Sequence, residues 1–184
     1  LIWFDAHPDF DTPNEHRSGY FDSMGVATLT GRCWHALAQS IPGFRPVPVE
    51  QILYCGIRDF EPGQLERVEA AGIHSVLGSG TEEVDFPDEL ASALRYFPCR
   101  RAMIHLDADC LDPSVGTANE YAAPGGLTAA QLAHCLDRVC EELVPLSLTI
   151  ASFHPGLQGS ERISASLISA AVNAAAAAAA RSGC

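Results

Sequence analysis

Two acidic stretches, far apart in the chain, hold the residues whose types and spacing can do chemistry. Residues 1–4, Leu-Ile-Trp-Phe, run into Asp5, His7, Asp9 and Asp11; residues 103–106, Met-Ile-His-Leu, run into Asp107, Asp109 and Asp112. Alternate residues of an extended chain point the same way. Asp5, His7 and Asp9 can therefore converge on one point, as can Asp107 and Asp109. Carboxylates massed around an imidazole require a compensating cation. Oxygen donors with neutral imidazole suit Mn, Fe, Zn or Ni, and the excess of carboxylate favours Mn. One Asp-x-Asp alone reads as a strand running into a solvated turn, but two such stretches, one with a histidine between acids, point to a metal site.

The elements that must position these residues follow from apolar runs and breakers. Residues 1–4, 51–56, 73–77, 102–106 and 146–153 read as strands, and most are short continuous apolar runs of the kind buried in parallel sheets. Helices are expected at residues 23–41, with Ser23 as cap, and at 62–71, closed by Gly72. Others follow at 87–96, at the amphipathic segment after Thr128, and at the alanine-rich residues 162–181. Residues 5–20 and 107–126 are long polar loops, and such loops inside compact folds are usually functional. Strand and helix alternate without an internal repeat, so the expected fold is α/β, three layers with helices on both faces of a mostly parallel sheet. In such sheets ligands bind at the carboxyl ends of the strands, where these acids lie.

At 184 residues, with 47% apolar and 18% charged content, the chain suits one domain with a sizeable core. Its net charge of −12 and scattered 11 Lys and Arg exclude a phosphate-binding surface, so no nucleic-acid partner is expected. Acidity of this order suits a cationic small-molecule substrate. Seven cysteines, at 33, 55, 99, 110, 135, 140 and 184, show no C-x-x-C spacing. They read as reduced, mostly buried thiols of a cytoplasmic protein. No signal peptide or long uncharged apolar span is read, so no membrane partner is expected.

Taken together, D-A-H-P-D followed by T-P, then G-I-R-D-F-E-P-G at residues 56–63, D-A-D-C-L-D-P and G-G-L-T resemble the arginase, agmatinase and formimidoylglutamase family of binuclear manganese ureohydrolases. The resemblance runs in order from residue 1 to about residue 128, and more loosely beyond. An N-terminal part of the family pattern, including a G-G-x-H segment with one metal-binding histidine, has no counterpart, so an N-terminally truncated ureohydrolase domain is expected over residues 1–184. The resemblance implies an arginase-like fold and two Mn2+ per subunit, or one in this chain, with homo-oligomers such as trimers or hexamers. It implies that Asp5 and Asp107 bridge both metals, that His7 and Asp109 complete one site, and that Asp9 serves the other and takes hydrogen bonds from the attacking hydroxide. Asp22 matches the proton-shuttle position, and Asp11, Ser18, Glu61 and Gln131 match substrate-binding positions.

Departures from the family pattern shape the expected activity. Asp22 stands where arginase has histidine, and a carboxyl has little proton to give near neutrality. Gln131 is a neutral amide where the family pattern carries glutamate, which loses a charge-assisted contact. Tyr121 falls where arginase has a small threonine, and Glu61 replaces an aspartate. The expected function is hydrolysis of a linear C–N bond in a guanidine or amidine, with a metal-bridging hydroxide as nucleophile and a formimidoylglutamase-like or guanidinobutyrase-like substrate rather than arginine. Two other readings stay open: a catalytically impaired metal-binding relative with a structural or regulatory role, and a deacetylase-like protein holding one Zn through Asp5, His7 and Asp109. His16 could replace a ligand or shuttle, His105 reads as a core histidine with a backbone partner, and His154 sits at a strand end. Cys110 reads as buried rather than nucleophilic.

Overall fold

The structure, a computed structural model, describes residues 1–16 and 18–182. Strands β1 (Ile2–Phe4), β2 (Leu53–Ile57), β3 (His74–Leu77), β4 (Arg101–Asp107) and β5 (Val144–Ala151) form one sheet in the order β3-β2-β1-β4-β5. Every neighbouring pair is parallel. β1 and β2 are buried along their whole length, as apolar strands covered on both faces must be. The helices are α1 (Gly25–Leu29), α2 (His35–Gln39), α3 (Gln64–Ala71), α4 (Phe86–Leu94), α5 (Ala129–Glu142) and α6 (Ser160–Ser182).

Alternation along the strands splits the core in two. Ile2, Phe4, Leu53, Cys55, Ile104 and Leu106 pack against Leu90 of α4, Leu132 and Leu136 of α5, and Ile163 and Leu167 of α6. Trp3, Tyr54 and Ile57 point the other way, onto Met24, Val26 of α1 and Val68 of α3. The three layers expected from the alternation of elements are therefore present. Met103, which points from β4 away from the first core, is exposed, as are Leu146 and Ile150 on the edge strand β5.

The helix expected at residues 23–41 is broken. Gly31 (φ +74) and Trp34 (φ 50) take left-handed conformations, leaving a short α1 and a short α2. Thr28 and Thr30 turn their hydroxyls back onto the carbonyls of Met24 and Val26, a local competition that weakens helix interiors. Ser23 does not cap; its hydroxyl donates to the Tyr20 carbonyl. The first free amides of α1, those of Val26 and Ala27, donate instead to the Asp9 carbonyl. By contrast α5 keeps its expected start, with a capping box in which Thr128 and Gln131 satisfy each other's backbone amides. α6 is long and apolar enough to cross a membrane by length and composition, against the expectation that no such span exists. Here Ile163, Leu167, Ala170 and Ala174 on one of its sides are buried in the core with α5. Cys33, Cys55, Cys110, Cys135 and Cys140 are buried free thiols and Cys99 is half-buried, whereas Cys184 lies outside the described residues.

Candidate metal centre

The site forms where β1 and β4 end side by side. Their parallel register sets Trp3 against His105 and Phe4 against Leu106. With period-two alternation, Trp3 and Asp5 on one strand and His105 and Asp107 on the other therefore project from the same face. Beyond β1 the chain stays open through Asp9, which is held in a left-handed conformation (φ 45) while its carbonyl receives two amides of α1. Beyond β4 a short 3-10 turn, Ala108–Cys110, starts with the Asp109 amide donating to Asp107 Oδ1 at 3.1 Å. That turn swings Asp109 back towards β1, where the Ala6 amide donates to its Oδ1 at 3.1 Å.

Arg58 fastens this arrangement. Its guanidinium donates to the carbonyls of Gly56, Asp109, Leu111 and Ala123, and its Nε to Ala123 and Pro124. One side chain thus ties the end of β2 to both limbs of the loop after β4. Asp112, the third acid of that loop, accepts the amides of Gly125 and Gly126 at 2.8 and 3.2 Å and so shapes the glycine turn. A Cβ on Gly125 (φ +87) would lie 2.2 Å from the Ser79 carbonyl oxygen, so the close approach of these two loops requires glycine there.

Two groups of side chains could hold a cation. Asp5, His7 and Asp109 offer ligand atoms that all lie within 4.8 Å of one another, and so do Asp5, His105 and Asp107. Asp5 belongs to both. Its Oδ1 accepts the His7 amide at 2.7 Å and its Oδ2 accepts Trp3 Nε1 at 2.8 Å. His7 Nδ1 sits 3.5 Å from Asp5 and 3.4 Å from Asp109, and its Nε2 is 3.5 Å from Asp59. Asn119 holds the Asp109 carboxylate through a 2.8 Å bond from Nδ2.

The electrostatics of this cluster are those of an acid-rich site. Burial, then the neighbouring Asp5 and Asp109, push Asp107 up to about 9. Burial also raises Asp5 to about 6 against the pull of His7, and raises Asp9 well above the carboxylate range with help from Asp5, Asp107 and Asp22. Burial alone would lower His7, but the Asp109 and Asp5 carboxylates overcome it and hold the imidazolium to about 11. Asp109 is the exception, drawn down to about 2 because bonds from His7 and Asn119 outweigh its burial. Protonated carboxyls and a trapped imidazolium are how buried like charges lower their mutual repulsion, and a divalent cation would replace those protons. Hard oxygen donors with one imidazole in each group fit a divalent ion such as manganese.

A cavity of about 350 Å³ opens above the cluster, walled by Asp5, His7, Asp9, His16, Ser18, Tyr20, Asp22, Asp59, Glu61, Asp107, Asp109, Asn119, Tyr121 and Ser152 among others. Among the expected site residues, Asp5, His7, Asp107 and Asp109 come together, and Asp9 lines the cavity while belonging to neither group. Asp22, Ser18 and Glu61 stand on the wall, with Ser18 bonded to His16 Nδ1 at 3.1 Å. Asp11 and Gln131, expected to meet the substrate, do not line the cavity. Asp11 is buried behind the cavity wall, accepting Gln64 of that wall at 2.7 Å and Arg67 at 2.6 Å. Gln131 is spent on the cap of α5 and on the Val84 carbonyl.

Four wall or support residues were not among the expected site residues. Asn119 and Ser152 lie in loops, Asp59 is the first acid of the R-D-F-E stretch, and Trp3 reads as core. His105 also departs from expectation: its partner is the Thr149 hydroxyl at 3.0 Å rather than a backbone group, and its ring stacks on Trp3. Burial lowers its imidazole to about 4, the neutral form that binds metal. His154 turns to the Gly156 amide and stays out of the cavity wall. Cys110 is fully buried, and burial with the adjacent Asp107 and Asp109 pushes its thiol up, which rules against a nucleophile.

Comparison with known proteins places the fold and the family. An arginase of Glaciozyma antarctica is 31% identical over 164 residues, covering 85% of this chain and 47% of that protein. A hepatic arginase of Aquarana catesbeiana is 27% identical over 180 residues, covering 94% and 55%. The chain thus spans about half the length of the curated relatives it matches. Among solved structures, a Bacillus subtilis arginase superposes with a TM-score of 0.77 at 18% identity, covering 92% of this chain and 60% of that one. The proclavaminate amidino hydrolase of Streptomyces clavuligerus gives 0.69 at 20% identity, covering 97% and 55%. These neighbours share the three-layer parallel fold, and the arginase family model matches residues 1–178, so the chain belongs to the arginase family.

Proposed function

We propose that this chain hydrolyses a linear C–N bond in a small cationic guanidine or amidine, with two manganese ions held by Asp5, His7, Asp9, Asp107 and Asp109. The observation that carries the reading is the position of Asp5, which lines the cavity and is shared between two carboxylate–imidazole groups. Relatives named arginase and amidino hydrolase supply the reaction class. When bound, the metal pair supplies a nucleophile from water at neutral pH and polarises the substrate.

The chain's own residues then have distinct tasks. Asp9, half-buried on the cavity wall, would accept hydrogen bonds from the attacking nucleophile and from the reacting end of the substrate. Asp59 and Glu61, both on the wall, attract and orient a cationic substrate. Ser18 offers a hydroxyl to the distal end of that substrate. Asp22 and His16 are the titratable groups at the mouth through which a proton returns to the leaving amine. A substrate bearing only positive charge fits this acid-lined wall better than a zwitterionic amino acid does.

The test is release of urea or ammonia from a panel of guanidines and amidines by the Mn-loaded chain, with arginine alongside. Turnover of simple cations ahead of arginine is the expected outcome, and faster arginine turnover would overturn the substrate assignment. A second reading, a metal-binding relative without turnover, is favoured by Tyr121, whose ring stands edge-on to His7 at 6.4 Å and crowds the cavity. Manganese binding with no product from any substrate would establish that reading instead.

A further inference from the structure

Resting on the reading of this cavity as a two-metal centre, we propose that His105 is the imidazole ligand of the second metal, closing with Asp5 and Asp107 a site distinct from Asp5, His7 and Asp109. The two groups then match, one imidazole and two carboxylates each with Asp5 common to both, and Asp9 stands on the cavity wall as a further carboxylate.

The placement of His105 is built into the sheet. It precedes Asp107 by two residues on β4, so the two side chains leave the same face, and its register partner on β1 is Trp3, two residues before Asp5. A ring nitrogen of His105 lies within 4.8 Å of the carboxylate oxygens of Asp5 and Asp107. Ligand atoms bound to one ion at about 2.1 Å stand no more than about 4.2 Å apart, so small side-chain rotations close the site.

The ring is also held as metal-binding imidazoles are held. Its Nδ1 is 3.0 Å from Thr149 Oγ1 on β5, and its plane stacks on Trp3 with centroids 3.7 Å apart and 17° between planes. In the tautomer whose Nδ1–H donates to that hydroxyl, Nε2 keeps its lone pair for the ion, and such outer contacts fix tautomer and ring direction in metal sites. Trp3 serves twice, since its Nε1 also orients Asp5 at 2.8 Å. A histidine needed only as core filler at this half-buried position would not require a polar clamp on one nitrogen with two carboxylates beside the ring.

Manganese stoichiometry of the 184-residue chain, by equilibrium dialysis with elemental analysis, and low-temperature EPR test this without turnover. The wild-type chain is expected to bind two Mn per chain with an exchange-coupled spectrum. His105→Ala is expected to bind one, with the spectrum of isolated Mn, while His7→Ala loses the other site. Thr149→Val should weaken only the second binding step, by about 10- to 100-fold. If His105→Ala or, should that variant not fold, His105→Asn binds as many Mn as the wild-type chain, the proposal is overturned. Two coupled Mn in both proteins would leave the two-metal reading standing without His105, whereas fewer than two in the wild type would remove that reading itself.

Discussion

Asp5 is the residue on which the centre turns, because each of its oxygens is already spoken for by a donor that aims it: the His7 amide on one and Trp3 Nε1 on the other. A ligand shared by two groups cannot be lost from one alone. Asp5→Ala should therefore abolish manganese binding at both positions, whereas His7→Ala should remove one, as titration calorimetry would resolve; retention of one full-affinity site by Asp5→Ala would contradict the shared role. Asn119→Ala is the subtler change. It removes the bond that fixes Asp109, so manganese affinity should fall about 10- to 100-fold with little change in stability. Asp5, His7, Asp107 and Asp109 were legible in the sequence because strand ends and period-two spacing announce them. Asn119, ten residues beyond Asp109 in a loop, has no period to betray it. Asp11 and Gln131 show what a motif position leaves out, since it does not reveal that Arg67 and Gln64, or a helix cap, engage the side chain.

Among the elements, the strands and the long helices α3, α4, α5 and α6 were readable from apolar runs, Gly72 and the Thr128 cap. The segment at residues 23–41 was not, because its apolar spacing mimics one helix while Gly31 and Trp34 turn the backbone left-handed. The start of α1 matters more to the site, since its first-turn amides of Val26 and Ala27 reach the Asp9 carbonyl and so hold Asp9 at the cavity. The loop after β4 has a comparable anchor in Arg58, whose guanidinium serves five carbonyls from β2 and both loop limbs. A lysine ammonium has three donors on one atom and cannot span them. Arg58→Lys and Arg58→Ala should both lower unfolding free energy by about 2–4 kcal/mol, since buried carbonyls lose their partner. Denaturant unfolding measures this, and a loss below about 0.5 kcal/mol in either variant would show that the loop holds itself. The same variants should weaken manganese binding through Asp109, whose carbonyl is one of the five.

At the level of the whole molecule, a chain of net charge −12 gathers several of its acids around one point, and the fold bears the repulsion by holding protons there. Asp107 at about 9 and Asp5 at about 6 lie above their unfolded values near 3.9, and His7 at about 11 lies above 6.5. A group whose folded pKa is raised stabilises the fold below its unfolded pKa and loses that contribution as pH climbs through the folded one. For Asp107 the window runs from about 4 to 9, and for His7 from about 6.5 to 11, so both act in the same direction across neutrality. Asp109, drawn down to about 2, acts only below pH 4 and does not oppose them. The metal-free chain should therefore melt at progressively lower temperature from pH 5 to pH 8. Added manganese should oppose the trend, because it would have to displace those same protons and so bind more tightly as they leave. At 100 times its dissociation constant an ion adds about 2.7 kcal/mol, so the melting increment on adding Mn should grow from pH 5 to pH 8. Asp107→Asn, which mimics the protonated carboxyl at every pH, should flatten the metal-free slope and shrink the increment. A metal-free melting temperature that is flat or rising over this range, or one unchanged in slope by Asp107→Asn, would mean that the acid cluster is not where the fold stores its protons.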